Sequence, residues 1–203
     1  MATIPFWKAT ACGNDFLLID SQQAPPDLAT FTREICDRHN GVGADGVEWY
    51  STAAKADLRI RLINADGSDA EISGNGTRCV AAWYCSQRDR DQITIETDAG
   101  LKVCELISSD GHTFQFRSSM GQPRVDPELQ VTISVGVMRG TPVSMGNPHY
   151  VMFVSRFEPG WQALAAKIAT HPQFPRGTNV ELVHVKSESE IEGKLTPEQI
   201  KAF

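Results

Sequence analysis

The order of hydrophobic and polar residues along the chain predicts most of its strands. Leu58, Ile60 and Leu62 alternate with Arg59 and Arg61, which is typical of a strand buried on one face only. Similar patterns, separated by turns rich in Gly, Asn and Asp, predict the other strands. The predicted strands are residues 4–10, 15–20, 58–62, 92–97, 101–107, 112–118, 131–138, 142–155 and 179–186.

Apolar residues at helical spacing predict the helices. The first helix begins at Asp27 and is stopped by Gly41. Residues 74–86 are strongly apolar, so this helix should be largely buried. Residues 161–169 form a third helix, and a very short one follows Thr196, where a proline and a glutamine complete a capping box.

The length of 203 residues allows one large domain or two small ones. Residues 122–128 carry two prolines and are the best candidate linker, which divides the chain into domains at 1–121 and 122–203. The content of 41% hydrophobic and 22% charged residues is ordinary for a globular protein.

Charge and hydropathy exclude several classes of function. The net charge of -6, with scattered Lys and Arg, gives no electrostatic reason to expect nucleic acid as a partner. The longest apolar stretch, residues 79–85, is far shorter than the roughly 20 residues that cross a bilayer. Residues 1–8 lack the features of a secretory signal, so we expect a cytoplasmic protein without membrane partners.

The cysteines and histidines do not form a metal-like pattern. Five cysteines without a CxxC pair favour buried free thiols over a disulfide framework or a zinc site. The five histidines are also dispersed along the chain.

The segment from Asn64 to Cys79 carries the candidate chemistry. It runs from a strand through a turn into the buried helix, so backbone N–H groups and the positive end of the helix dipole point at the turn. Gly74 and Gly76 would let an anion approach the backbone closely. The alternative is that Ser73 is only an N-cap and that the glycines only shape the turn.

Three Gly-Asn pairs lie at strand or helix junctions. An isolated pair usually marks a turn, because both residues tolerate positive φ. Three pairs suggest a further role, since an asparagine amide offers donors and an acceptor to a zwitterionic ligand. The pairs are at residues 13–14, 74–75 and 146–147.

Five stretches, in order and covering about residues 4–187, resemble the diaminopimelate epimerase family. The segment at 64–79 resembles the family signature, in which a cysteine stands where this chain has Ser73. The other four stretches are Gly-Asn-Asp-Phe at 13–16, Arg-His with Gly-Val-Gly-Ala-Asp-Gly at 38–46, Ser-Met-Gly-Asn-Pro-His at 144–149 and Thr-Asn-Val-Glu at 178–181.

The resemblance implies an α/β (α+β) fold of two pseudo-symmetric domains, each a mixed sheet around a central helix, with the substrate between them. It also implies a homodimer and an isomerase of lysine and peptidoglycan synthesis. That reaction inverts one α-carbon of LL-diaminopimelate to give the meso form, without pyridoxal phosphate, metal or any other cofactor. One cysteine thiolate removes the α-proton from one face, and a second thiol returns a proton to the other.

By position, the resemblance also assigns site residues. Gly74 would present its N–H to the reacting carboxylate, and His149 would support the geometry, whereas outside the motif a solvent-facing His149 would be expected. The amino and carboxylate groups of the substrate would be held by five asparagines: Asn14, Asn64, Asn75, Asn147 and Asn179.

Two departures from the family predict that the chain as written does not complete this reaction. A serine hydroxyl stays protonated near neutral pH, and no histidine in the segment could activate Ser73. The pattern fits both an introduced serine and a natural loss of the thiol. The sequence also ends at Phe203, before the family's second cysteine, so the second domain is expected to be incomplete relative to the family, as a shortened or a naturally short form.

Other cysteines do not obviously replace the missing thiol. Cys12 precedes the Gly13-Asn14 turn and would lie near the substrate, but a buried thiol beside a turn is the simpler interpretation. Cys79 lies inside the helix, where burial keeps a thiol inert.

Three functions therefore remain open from the sequence. The first is a diaminopimelate epimerase, with Ser73 at the position of the first thiol. The second is a related racemase that acts on another amino acid, such as proline or histidine. The third is an amino-acid-binding protein that has kept the asparagines and lost the proton carriers.

Overall fold

The computed structural model describes residues 3–194. The chain forms two compact units, an amino-terminal unit that ends at Gly121 and a carboxy-terminal unit that begins at Gln122. The predicted short helix after Thr196 lies outside the described residues.

The amino-terminal unit contains one mixed sheet. Its strands are β1 (Trp7–Ala11), β2 (Asn14–Asp20), β3 (Gly46–Ser51), β4 (Leu58–Asn64), β5 (Asp69–Ala70), β6 (Gln92–Thr97), β7 (Gly100–Asp110) and β8 (Thr113–Ser119). The sheet order is β1-β2-β3-β4-β6-β7-β8, and β5 pairs with β4 beside this path. The pairs β2–β3 and β4–β6 are parallel, and the other pairs are antiparallel.

Two helices cover the two faces of this sheet. Helix α1 (Leu28–Cys36) packs on β3 and β4, whereas α2 (Gly74–Ser86) contacts β1, β2, β6 and β8. Because β1 and β8 are the two ends of the strand order, the sheet curls around α2. The prediction that α2 is largely buried is confirmed.

The alternation of side chains along β2 explains why both faces are covered. Leu18 points into the cluster that contains Val80 and Ala81 of α2. Leu17 and Ile19 point the other way, into the cluster beneath α1. A strand buried on both faces is nearly continuously apolar, which is what residues 16–19 show.

Helix α1 ends earlier than predicted. It begins after Asp27, whose carboxylate accepts a hydrogen bond from the Thr30 N–H at 3.0 Å. The predicted stop at Gly41 is wrong, since the helix ends at Cys36. The cause is Asp37, whose carboxylate accepts from the backbone N–H groups of His39 and Asn40 and forms a turn in place of another helical turn.

Strand β3 was not predicted from the sequence. Val47 and Trp49 are buried beneath α1, but the intervening Glu48 is buried as well. An acidic residue at an inward position breaks the apolar pattern on which strand prediction depends.

The carboxy-terminal unit contains a second mixed sheet. Its strands are β9 (Arg124–Val125), β10 (Leu129–Ile133), β11 (Gly136–Ser144), β12 (Pro148–Phe153), β13 (Asn179–Ser187) and β14 (Glu190–Lys194). The sheet order is β10-β11-β12-β13-β14, with β9 beside β11 and with β12 and β13 parallel. Helix α3 (Trp161–Ala169) packs on β10 and β13 and buries Ala165 and Ile168 against Tyr150 and Leu182.

Turns interrupt two strands that were predicted to be continuous. The predicted strand at 131–138 is the hairpin of β10 and β11, closed by a two-residue turn between Ile133 and Gly136, and Gly136 has φ +135°. The predicted strand at 142–155 is broken between β11 and β12 at Gly146, which has φ +111°. The predicted linker also contains β9, and β14 was not predicted.

The predicted fold class is confirmed: the protein is an α+β fold of two mixed sheets, each with a helix packed into its core. Within residues 3–194, none of the helices combines the length and the apolar character that crossing a bilayer would require.

Candidate functional site

Ser73 stands at the amino terminus of α2 and is buried. Its backbone is extended (φ -122°, ψ 123°), and its Oγ accepts a hydrogen bond from the Gly76 N–H at 3.1 Å. This is the N-cap arrangement that the sequence left open. The capping hydroxyl can make a further hydrogen bond, since an Oγ that accepts from one N–H still has its own hydrogen to donate.

The two glycines after Ser73 have different surroundings. A Cβ on Gly74 would meet Met120 Cε at 3.5 Å, which is an ordinary contact. A Cβ on Gly76 would overlap Glu48 Oε1. The close approach that requires glycine at 76 is therefore made by a side chain of the protein itself.

Asn75 and Asn14 form a buried chain of hydrogen bonds. Asn75 Nδ2 donates to Asn14 Oδ1 at 2.7 Å, and Asn14 Nδ2 donates to Asp45 Oδ2 at 3.0 Å. At the other end, the guanidinium of Arg78 donates to Asn75 Oδ1. Because each amide has a partner on both sides, the orientations of both asparagines are fixed.

A charged cluster anchors this chain. Arg38 donates to Asp15 and Asp45 at 2.6 and 2.8 Å, and Lys8 lies 3.1 Å from Asp15. The hydrogen bonds from Arg38, opposed in part by burial and supported by Lys8, lower the pKa of Asp15 to about 2. The Arg-His-containing motif at 38–46 therefore supports the Gly13-Asn14 turn through Arg38 and Asp45.

Asn64 is held in a different environment. Its Nδ2 donates to Ser68 Oγ at 3.0 Å, and its backbone N–H donates to the Ser68 carbonyl at 2.9 Å. The hydrogen bonds found in the described part of the chain place Asn64 in its own turn, not in the chain of Asn14 and Asn75.

The carboxy-terminal unit brings together three of the predicted residues. His149 Nε2 lies 2.9 Å from Asn147 Oδ1, and His149 is paired with Asn179 across the parallel strands β12 and β13. His149 Nδ1 lies 2.7 Å from Glu181 Oε1. The solvent-facing alternative for His149 is wrong, because only 7% of the residue is exposed.

Glu181 was not singled out from the sequence as a partner of His149. Strand β13 places it two residues after Asn179, on the same side of the strand. A carboxylate at this position fixes the ring orientation of His149, as carboxylates commonly do for functional histidines. The sequence did contain a signal for Glu181, since it belongs to the same Thr-Asn-Val-Glu motif as Asn179.

Glu48 was also missed, and its surroundings are more unusual. It is completely buried, and neither carboxyl oxygen has a hydrogen-bond partner among the described residues. Burial raises the pKa of Glu48 to about 8. A single acidic residue within the otherwise apolar run 47–50 was the available signal.

The cysteines differ in exposure. Four of them are buried as expected, and burial raises the pKa of Cys79 to about 12, so that thiol is inert as predicted. The expectation of a buried thiol at Cys12 is wrong: Cys12 is exposed in a left-handed turn (φ 50°), with its Sγ 3.8 Å from the Arg78 guanidinium. Across residues 3–194, no three His, Cys, Asp or Glu side chains cluster as a metal site.

Known sequences resemble this chain over most of its length. A family model described as diaminopimelate epimerase matches residues 6–125. The diaminopimelate epimerase of Pelotomaculum thermopropionicum is 40% identical, over 97% of this chain and 74% of that protein. The diaminopimelate epimerase of Carboxydothermus hydrogenoformans is 36% identical, over 98% of this chain and 74% of that protein.

Solved structures share the fold at much lower identity. A probable proline racemase from Agrobacterium radiobacter K84 matches with a TM-score of 0.71 and 16% identity, over 96% of this chain and 71% of that chain. A hydroxyproline epimerase from Agrobacterium vitis matches with a TM-score of 0.69 and 18% identity, over 95% and 69%. At these identities the likeness concerns the fold alone.

Proposed function

Because the chain belongs to the diaminopimelate epimerase family, we propose that it binds diaminopimelate, with the reacting amino-acid group at the amino terminus of α2. The observation that carries this proposal is the buried Ser73 cap, beside which Asn75 and Asn14 are held in fixed orientations. A capped helix terminus with oriented amides suits a carboxylate ligand.

The chemistry of the family reaction explains why this position matters. Removal of an α-proton next to a carboxylate adds negative charge to an existing anion, and without a cofactor only oriented dipoles in a water-poor site can stabilise that charge. The N–H of Gly74 is proposed to donate to the reacting carboxylate. Asn14 and Asn75 are proposed to contribute their oriented amides to the binding of the amino-acid group.

The remaining predicted residues are proposed to serve the same ligand. Asn64, Asn147 and Asn179 are assigned to substrate binding, and His149 to support of the site geometry through its contact with Glu181. The family relationship is the basis for these assignments. We also propose a homodimer in the cytoplasm and a place in lysine and peptidoglycan synthesis on the same basis.

We do not expect this chain to invert the substrate by the two-thiol route. Ser73 offers a hydroxyl where the family has its first thiol, and a hydroxyl is a far weaker acid than a thiol, whose ordinary pKa is ~8.5. The proposal is therefore binding of diaminopimelate by an epimerase-family protein, without two-thiol epimerisation.

Titration calorimetry with LL- and meso-diaminopimelate tests the binding. We expect saturable binding by the natural chain and by Ser73→Cys, and a loss of at least tenfold in affinity for Asn75→Ala, because that change removes an oriented amide. Glu188→Gln, an exposed change in the other unit, is the matched control. Binding of proline or histidine but not of diaminopimelate would instead support a racemase-like protein with another ligand.

Chiral chromatography of the same mixtures tests the second part of the proposal. The ratio of LL to meso forms should not change with the natural chain over many hours. Measurable epimerisation by the natural chain would show that the missing thiol has been replaced by another complete pair of proton carriers.

A further inference from the structure

The carboxyl group of Glu48 and the hydroxymethyl group of Ser73 border the same glycine. A Cβ placed on Gly76 would overlap Glu48 Oε1 and would lie 3.3 Å from Ser73 Cβ. The N–H of the same glycine donates to Ser73 Oγ. Gly76 thus lies against both side chains, and it has no side chain of its own at the point where they approach it.

Within residues 3–194, no group donates a hydrogen bond to either oxygen of the Glu48 carboxyl. Its strand neighbours are Leu18 on β2 and Leu62 on β4, and both are buried. Cys79 on α2 is the titratable group that faces it, and that thiol stays protonated. Arg78, the next residue, directs its guanidinium to Asn75 and Cys12.

A buried carboxyl without partners is costly, so its retention calls for an explanation. A structural role would normally pair the carboxyl with a cation or a backbone N–H, as Asp45 and Asp15 are paired in the same unit. Glu48 instead has vacant hydrogen-bonding positions next to the capped end of α2. The carboxyl and the helix terminus are two independent observations that point to one place.

We propose that Glu48 is the proton acceptor that works through Ser73, so that the amino-terminal unit exchanges the α-hydrogen of a bound amino acid with water on one face. This inference rests on the proposed binding of the amino-acid group at α2. Glu48 acts on the substrate only through the Ser73 hydroxyl.

The proton transfer balances without any co-reactant. The α-carbon–hydrogen bond breaks, and the hydrogen moves to Ser73 Oγ while the serine hydrogen moves to the Glu48 carboxylate. The electron pair stays on the substrate, where the amides of α2 stabilise it. The reverse transfer returns a hydrogen to the same face, and a serine hydrogen that has exchanged with water labels the carbon.

The acid strength of Glu48 suits this role. Burial raises its pKa to about 8, close to the ~8.5 of an ordinary thiol. A carboxyl with a pKa raised this far is a stronger base than an ordinary carboxylate and can hold the proton that leaves Ser73. The Ser73 hydroxyl completes the path, since its Oγ accepts from Gly76 and its hydrogen is available to a carboxylate. A change of rotamer at Glu48 or Ser73 has to bring the two groups into hydrogen-bond distance.

Solvent exchange tests the inference. Diaminopimelate is incubated with the full chain in deuterium oxide, and α-deuteration and configuration are followed by proton NMR and chiral chromatography. We expect the natural chain to deuterate the α-carbon with retention of configuration. Glu48→Gln and Ser73→Ala should each slow exchange by about 100-fold or more, the usual contribution of a general base.

A rescue experiment separates this role from a structural one. In Ser73→Cys the thiol takes the proton itself. The exchange rate of the double variant, Ser73→Cys with Glu48→Gln, should therefore stay within about threefold of the rate of Ser73→Cys alone. The natural chain should exchange faster as pH rises through about 8, the pH at which half of Glu48 is ionised. Loss of exchange in the double variant, or undiminished exchange in Glu48→Gln alone, would overturn the inference.

Calorimetry on the same samples keeps the two proposals distinguishable. Binding of diaminopimelate without exchange would leave the proposed function in place and overturn the role of Glu48. Absence of binding would overturn the proposed function, and Glu48 would then be tested by the same exchange assay with proline and histidine. Absence of exchange with all three amino acids would overturn the role of Glu48 as well.

Discussion

Each unit of this protein carries a glutamate on a strand within its sheet: Glu48 is fully buried and Glu181 is partly buried, and the two differ in their partners. Glu181, on β13, lies 2.7 Å from His149 and so has a defined hydrogen-bond partner. Glu48, on β3, has none among the described residues and lies against Gly76 at the start of α2. A paired carboxylate fixes the geometry of its neighbour, whereas an unpaired one stays protonated until the pH approaches its raised pKa.

The helices of the two units also differ in whether a side chain caps the amino terminus. Helix α2 begins with a side-chain cap at Ser73, which orients the first turn. Helix α3 begins at Trp161, after Gly160 (φ 82°), without a side-chain cap. The polar residues of the amino-terminal unit therefore surround a helix terminus, and those of the carboxy-terminal unit lie along two parallel strands. The comparison suggests a charge-stabilising site in the first and a hydrogen-bonded His–carboxylate pair in the second.

The largest expected effect concerns the pH dependence of stability. The pKa of Glu48 is raised to about 8 in the folded protein from an ordinary value of 4.5, so the folded state holds the proton more tightly. Its contribution to stability is fully present below about pH 4.5 and is lost as pH rises to about 8, by on the order of 5 kcal/mol.

Urea unfolding of the natural chain and of Glu48→Gln between pH 5 and 9 measures this effect. The natural chain should lose stability relative to Glu48→Gln over this range, and the difference should level off above pH 8. A constant difference at all pH values would mean that Glu48 is paired or solvated, and the contrast with Glu181 would disappear.

The next effect concerns Gly76. Gly76→Ala places a Cβ against the enclosed Glu48 carboxyl, and we expect a loss of about 2 kcal/mol in the free energy of unfolding, because the carboxyl has to shift within the core to avoid the overlap. Gly74→Ala is the matched control, since its Cβ would make only ordinary contact with Met120, and it should change stability by less than about 1 kcal/mol. Equal effects of the two changes would argue against close packing of Glu48.

A similar loss is expected in the carboxy-terminal unit from Glu181→Gln. The change removes a charged partner of the buried His149, and hydrogen bonds of this kind contribute about 1.5–3 kcal/mol. Glu128→Gln removes the exposed carboxylate 3.9 Å from Arg139 and should cost less than about 1 kcal/mol. Urea midpoints of the two variants give the comparison, and equal midpoints would contradict the pairing.

The smallest effect is expected from the helix cap. Ser73→Ala removes the acceptor for the Gly76 N–H and should destabilise the amino-terminal unit by about 1 kcal/mol. Ser73→Asp, which keeps a capping acceptor, should restore most of that loss. Hydrogen exchange at the Gly76 amide reports the cap directly, and unchanged protection in Ser73→Ala would mean that the amide has another partner.

The sequence was sufficient to predict the strands and helices whose apolar residues recur at a regular spacing. The alternation of Leu58, Ile60 and Leu62 and the apolar run of α2 determined a one-sided strand and a buried helix, since burial of an apolar face depends on the spacing of side chains alone. The ordered motifs were also enough to identify the family. The short turns at Gly136 and Gly146, which split two predicted strands, depended on local backbone conformation that hydrophobic patterns do not encode.

Only the tertiary structure decided the partners of the polar residues. The sequence placed Asn14, Asp45 and Asn75 in three separate motifs, and the fold joined them through hydrogen bonds across 31 and 61 residues. It also placed Glu48 beside Ser73, although 25 residues separate them, because β3 and the start of α2 meet in one core. The physical reason is that a hydrogen bond or a raised pKa depends on distances between side chains, and chain packing sets those distances.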